Sequence, residues 1–141
     1  MNRKASAIWQ GGLKDGRGTI STESAVLSQT QYSFGTRFEN GKGTNPEELI
    51  AAAHAGCYSM ALSAELGKSG ITPVSIETAA TVTLDKLDSG WTVTKVHLDV
   101  KAKIPGADTA AFNAAAETAK ANCPISKLLN ATITMQAALE K

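Results

Sequence analysis

The run Asn45-Pro46-Glu47-Glu48-Leu49-Ile50-Ala51-Ala52-Ala53-His54-Ala55-Gly56-Cys57-Tyr58-Ser59-Met60-Ala61-Leu62 begins as a helix begins and continues as one. Asn45 suits the N-cap. Pro46 suits the first helical position, where a backbone N–H would have no partner anyway. Glu48, three residues after Asn45, completes a box-like cap, and both carboxylates favour the positive end of the helix dipole. Leu49, Ala53, Gly56, Met60 and Ala64 recur at helical spacing. Lys68-Ser69-Gly70 reads as a C-terminal stop, so the helix should end near Gly67 or Gly70. Residues 49–64 carry no formal charge apart from His54, but they fall short of the ~20 residues a membrane span needs. They read as a core helix. Ala51, Ala52, Ala53, Ala55, Gly56 and Ala61 would let another backbone approach closely. A helix this apolar should be buried on most sides, and one small domain has little with which to cover it. A homodimer with this helix at its centre is the expectation.

Upstream, residues 5–9, 19–22 and 31–38 show β-branched and aromatic alternation and read as strands of an antiparallel meander. Gly11-Gly12, Asp15-Gly16 and Gly18 punctuate them as turns. Downstream, residues 75–87 and 91–104 alternate as two long strands, with Asp88-Ser89-Gly90 as the hairpin turn. Asp108 or Thr109 should cap a second helix running through Asn122. Pro124 should end it, because the residue before a proline is pushed out of the α region. Residues 126–130 read as a short helical turn and 132–139 as a last strand. Strands and helices do not alternate one for one, so the fold class is α+β: antiparallel sheets packed around a long cysteine-bearing helix, with residues 1–141 as one domain.

Composition narrows the function. Fourteen basic residues against 13 acidic give a net charge of +1, which makes no electrostatic case for nucleic acid or an anionic membrane as partner. Apolar residues make up 43% of the chain, too many for disorder. Met1-Asn2-Arg3-Lys4 is followed by no apolar core of a signal peptide, which points to the cytoplasm, where thiols rest reduced. No nucleotide-binding, P-loop, GxSxG or HExxH pattern is present, and no cofactor is expected.

The two cysteines are the chemical signal. There is no CxxC pair, and this suggests thiol chemistry across the fold. Cys57 lies within the apolar helix, where a bland reading is a small packed hydrophobe. To react it must ionise, and apolar burial opposes that, so a cation is needed nearby. Arg37 is the best supplier, ahead of Arg17 and Lys42, although from composition alone a solvated strand-end charge is the favoured reading of it. Glu47 could hold Arg37 in a carboxylate–guanidinium fork, or could serve the helix dipole only. Glu47 and Cys57 are ten residues apart, roughly 15 Å along one helix. If both serve one pocket, two antiparallel copies of the helix must cross, which again asks for a dimer. Cys123, before Pro124, is either a packed helix-end thiol or a resolving thiol. His54, one turn before Cys57, could be a base or a metal ligand. With His97 alone elsewhere, a His/Cys metal site is not expected.

The segment from Gly43-Thr44-Asn45-Pro46-Glu47 to His54-Ala55-Gly56-Cys57, with Asn122-Cys123-Pro124-Ile125-Ser126 downstream, resembles the osmotically inducible protein C (OsmC) and organic hydroperoxide resistance (Ohr) family. Gly16-Arg17-Gly18-Thr19, Thr36-Arg37-Phe38-Glu39 and Leu128-Leu129-Asn130-Ala131 extend the similarity over nearly the whole chain, most strongly toward the OsmC branch. The resemblance implies an OsmC-like fold and an intertwined homodimer with active sites at the subunit interface. It implies a thiol peroxidase that reduces organic hydroperoxides to alcohols, and hydrogen peroxide less well. Cys57 matches the peroxidatic position, Cys123 the resolving one, and Arg37 and Glu47 the pair that activates the thiolate. A dithiol reductant, lipoyl-type in the family, is the implied partner. Two rivals stand beside this reading: a ligand-binding or stress-structural dimer whose cysteines merely pack, and a general disulfide oxidoreductase acting on proteins.

Overall fold

A computed structural model describes residues 1–140. The chain divides into two compact units, Met1–Leu49 and Ile50–Lys141.

In the first unit β1 (Ala5–Gln10), β2 (Arg17–Thr22) and β3 (Thr30–Ser33) form an antiparallel meander in that order. Gly18 faces Tyr32 across the β2–β3 register. A Cβ on Gly18 would run into the Tyr32 ring and the Ile8 carbonyl, so glycine is what lets that ring lie across the strand and tilt against Trp9, with centroids 5.3 Å apart. The strand expected over residues 31–38 stops at Ser33. Ser33 caps a short helix α1 (Phe34–Phe38) instead: its Oγ accepts from the Thr36 N–H at 3.2 Å, and the Ser33 N–H donates to Thr36 Oγ1 at 2.8 Å. This is a capping box with threonine in the usual Glu/Gln place. The aromatic content of the segment suggested extension; the local side-chain bonds, which alternation cannot reveal, override it.

The long helix α2 (Pro46–Lys68) starts as expected, with the Glu48 N–H on Asn45 Oδ1 at 2.8 Å. It ends in a Schellman motif. Gly70 takes φ +70°, its N–H meets the Gly67 carbonyl, and the Ile71 N–H reaches back to Leu66. The buried face is His54, Tyr58, Leu62 and Leu66. The set Ala53, Gly56, Met60 and Ala64, which also has helical spacing, is exposed. Both sets fit one period, and phase alone does not say which faces the core.

In the second unit β4 (Ser75–Leu87) and β5 (Gly90–Lys103) form the expected hairpin, antiparallel with one irregularity at Thr83/Leu84. Val96, Leu98, Val100 and Ala102 alternate inward along β5. β6 (Thr132–Glu140) lies on the other side of β5 and runs parallel to it, so the sheet is not wholly antiparallel as expected. A parallel pair needs a crossover, and α3 (Thr109–Asn122) followed by α4 (Pro124–Leu128) supplies it. Asp108 Oδ2 caps α3 on the Ala111 N–H at 2.9 Å. Cys123 takes ψ 127°, the extended turn that its following proline imposes. The buried face of α2, β5 and α3 form one core around Tyr58, Leu62, Leu66, Leu98 and Phe112. Each large side chain buried there contributes about 1.5–3 kcal/mol of transfer free energy. Ser59 Oγ and Thr78 Oγ1, 2.8 Å apart, tie α2 to β4. Among the described residues no helix is long and apolar enough to cross a membrane.

Candidate active site

Two clusters are candidates to carry chemistry, one in each unit. In the first, Asn45 does two jobs. Its Oδ1 caps α2, and its Nδ2 donates to the Thr36 carbonyl at 3.1 Å. The end of α1 and the start of α2 are thereby fixed to one another. Arg37 on α1 and Glu47 in the first turn of α2 meet as a consequence. Arg37 Nε lies 3.1 and 3.2 Å from the two Glu47 oxygens, and Nη2 lies 2.7 Å from Oε1. The fork holds the guanidinium in one plane and leaves Nη1 outside it. The guanidinium carbon also sits 5.2 Å from the centre of the Phe38 ring. Beside it opens a cleft of about 280 Å³ lined by Trp9, Leu13, Tyr32, Phe34, Phe38 and Pro46. A cation at the edge of an aromatic cleft can bind a small, mostly apolar molecule that carries a polar oxygen end.

In the second unit the two thiols meet. Cys57 Sγ and Cys123 Sγ are 2.9 Å apart, with a hydrogen bond from Cys123 to Cys57, and both cysteines are free. Cys123 is fully buried and Cys57 partly so. Burial pushes the Cys57 thiol above its ordinary pKa, the contact with Cys123 adds to the shift, and the Ile125 backbone N–H works against it. A disulfide bond is about 2.05 Å long, so the sulfurs need only a small approach to join.

His54 is buried beside this pair. Its Nε2 lies 2.8 Å from Ser126 Oγ, and burial lowers its pKa. The sequence offers His54 as a base or metal ligand and gives Ser126 no role of its own. The available signal was the spacing: histidine three residues before one cysteine, serine three residues after the other. Among the described residues no group of three or more His, Cys, Asp or Glu side chains is placed to hold a metal. Tyr58 donates to the Ala116 carbonyl at 3.3 Å and to Met135 Sδ at 2.9 Å. It anchors the turn of α2 that carries Cys57.

The family model for OsmC-like proteins matches residues 39–138. The chain belongs to the OsmC-like family. It is 53% identical over 135 residues to peroxiredoxin OsmC of Escherichia coli, covering 96% of this chain and 94% of that one. It is 31% identical over 127 residues to organic hydroperoxide resistance protein-like 2 of Staphylococcus epidermidis, covering 89% and 87%. Among solved structures, an OsmC-like protein from Mycoplasma pneumoniae superposes with a TM-score of 0.78 at 14% identity, over 100% of this chain and 99% of that one. OhrB of Bacillus subtilis gives 0.71 at 23% identity, over 96% and 98%. At these identities the structures speak for the fold, which is the α+β fold expected.

Proposed function

We propose that this peroxidase reduces organic hydroperoxides through a Cys57 thiolate and closes its cycle with Cys123. What carries the reading is the 2.9 Å contact between two free thiols that lie 66 residues apart in sequence. Burial keeps Cys57 protonated when nothing else acts on it, so a cation has to supply the ionisation. Arg37, its guanidinium oriented by Glu47, is that cation. The ten-residue separation of Glu47 and Cys57 on α2 supports a homodimer in which the arginine of one protomer serves the thiol of the other. The exposed face of Ala52, Ala53, Gly56 and Met60 on α2 suits such a contact.

The Cys57 thiolate attacks the distal oxygen of ROOH, the O–O bond breaks, and the alcohol leaves with a proton. Cys57 is then a sulfenic acid. Cys123 condenses with it and water departs. An external dithiol, lipoyl-type by family likeness, restores both thiols by exchange. The aromatic cleft beside Arg37 favours alkyl or aryl hydroperoxides over hydrogen peroxide.

Intact-protein mass spectrometry after one equivalent of cumene hydroperoxide tests the proposal. Loss of two hydrogens with a Cys57–Cys123 cross-link is expected. Unmodified thiols and unconsumed peroxide would overturn it.

A further inference from the structure

We propose that His54 and Ser126 are a positioning pair that holds the Cys123 segment against Cys57 and so sets how often the sulfenic acid ends as a disulfide; the inference rests on the peroxidase reading above. α4 crosses α2 by two side-chain rungs of opposite order. Cys57 meets Cys123 at 2.9 Å, and His54, three residues earlier, meets Ser126, three residues later, at 2.8 Å. The two segments therefore run antiparallel at this point, one helical turn between rungs.

The second rung is the fixed one. His54 is fully buried and Ser126 nearly so. His54 Nδ1 is buried with no hydrogen-bond partner among the described residues, so Ser126 is the ring's polar tie. An orphaned buried N–H is the rarer fault than an orphaned acceptor. The proton therefore belongs on Nε2, which donates to Ser126 Oγ. α4 has only five residues, and Cys123 at its N-cap makes no side-chain capping bond. So short a helix does not hold its own geometry. A buried hydrogen bond from α2 to its middle residue does.

The step affected is condensation. The S–O bond of the Cys57 sulfenic acid breaks, a Cys57–Cys123 S–S bond forms, and the hydroxyl leaves as water with the Cys123 proton. A competing second hydroperoxide molecule instead converts the sulfenic acid to a sulfinic acid, releasing another alcohol. Loosening α4 lowers the first outcome and raises the second. The ratio of the two outcomes is set after the initial attack by Cys57, so it does not depend on how fast that attack is.

The test mixes the reduced full-length protein with excess cumene hydroperoxide, quenches with a thiol alkylator and reads intact mass. In Ser126→Ala the ratio of disulfide to sulfinic acid should fall roughly threefold to tenfold. Ser126→Thr, which keeps the hydroxyl, should restore the ratio. In a dithiothreitol redox buffer, without peroxide, Ser126→Ala should shift the dithiol–disulfide equilibrium toward the dithiol by a similar factor. His54→Leu carries the same measurements if Ser126→Ala does not fold. A wild-type ratio in the alanine variant would overturn the positioning pair and leave the peroxidase intact. A wild-type protein that forms no disulfide at all would overturn both.

Discussion

The sulfurs of Cys57 and Cys123 lie 2.9 Å apart, one on a long helix and the other in the turn between two helices. Cys57→Ser should abolish turnover. Cys123→Ser should still consume one equivalent of hydroperoxide for each oxygen it gains, at the sulfenic and then the sulfinic stage, and then stall. Stopped-flow peroxide consumption joined to mass spectrometry separates the two. Full steady-state activity in Cys57→Ser would remove the thiol from the reaction.

Arg37→Ala should slow oxidation by about a hundredfold or more, the cost of losing a preorganised charge at a reacting centre. Alkylation of Cys57 in this variant should titrate above the ordinary thiol range, since burial alone pushes it there. Stability should change little. The Arg37 side chain is 36% exposed, and a pair with one partner so open to solvent is worth about 0.2–1 kcal/mol. A thermal midpoint near wild type beside a large loss of rate is the expected signature. An unchanged rate would free Arg37 from the role.

His54 makes stability depend on acid. Burial holds its folded pKa below the ordinary 6.5. The unfolded chain therefore takes up a proton that the folded one refuses. The stability involved is complete above about pH 6.5 and is lost as pH falls toward the folded value, at no more than about 1.4 kcal/mol per pH unit. Urea midpoints between about pH 8 and pH 5 should decline in the wild type and decline less in His54→Gln. Equal slopes would mean that His54 is not the group being titrated.

Gly56→Glu tests the dimer. A Cβ at Gly56 meets nothing within 4 Å in the single chain, and replacing an internal helical glycine gains about 0.5–1 kcal/mol of helix propensity. The variant should fold. Buried between two copies of α2, the carboxylate would have no partner and would drive them apart. Sedimentation should show a dimer for wild type and a monomer for Gly56→Glu, with peroxidase activity falling alongside. A wild-type monomer at micromolar concentration would count against the proposed assembly.

What the chain spelled out locally, the fold repeats. Asn45 at its cap, Pro124 after its helix and Asp88-Ser89 in its hairpin act on near neighbours in the chain, and each was readable. Three features were not readable, one local and two set by distant parts. The turn of Phe34–Phe38 into α1 rests on a Ser33–Thr36 exchange that leaves no periodic trace. The parallel run of β6 follows from where the α3–α4 crossover delivers the chain. The inward phase of α2 is decided by β5 and α3, not by its own repeat. For the candidate site, residue types and the likeness to the family named Arg37, Glu47, Cys57 and Cys123. The fork and the sulfur contact are distances, which only folding fixes.

The unequal access to the two sulfurs gives the regeneration step a direction. With Cys123 sealed and Cys57 reachable, an incoming dithiol has one sulfur to strike. Its first covalent adduct should form on Cys57, with Cys123 departing inward as the leaving thiolate. A reductant bearing a slender, two-armed sulfur head would then complete the exchange without dislodging the helix that screens Cys123.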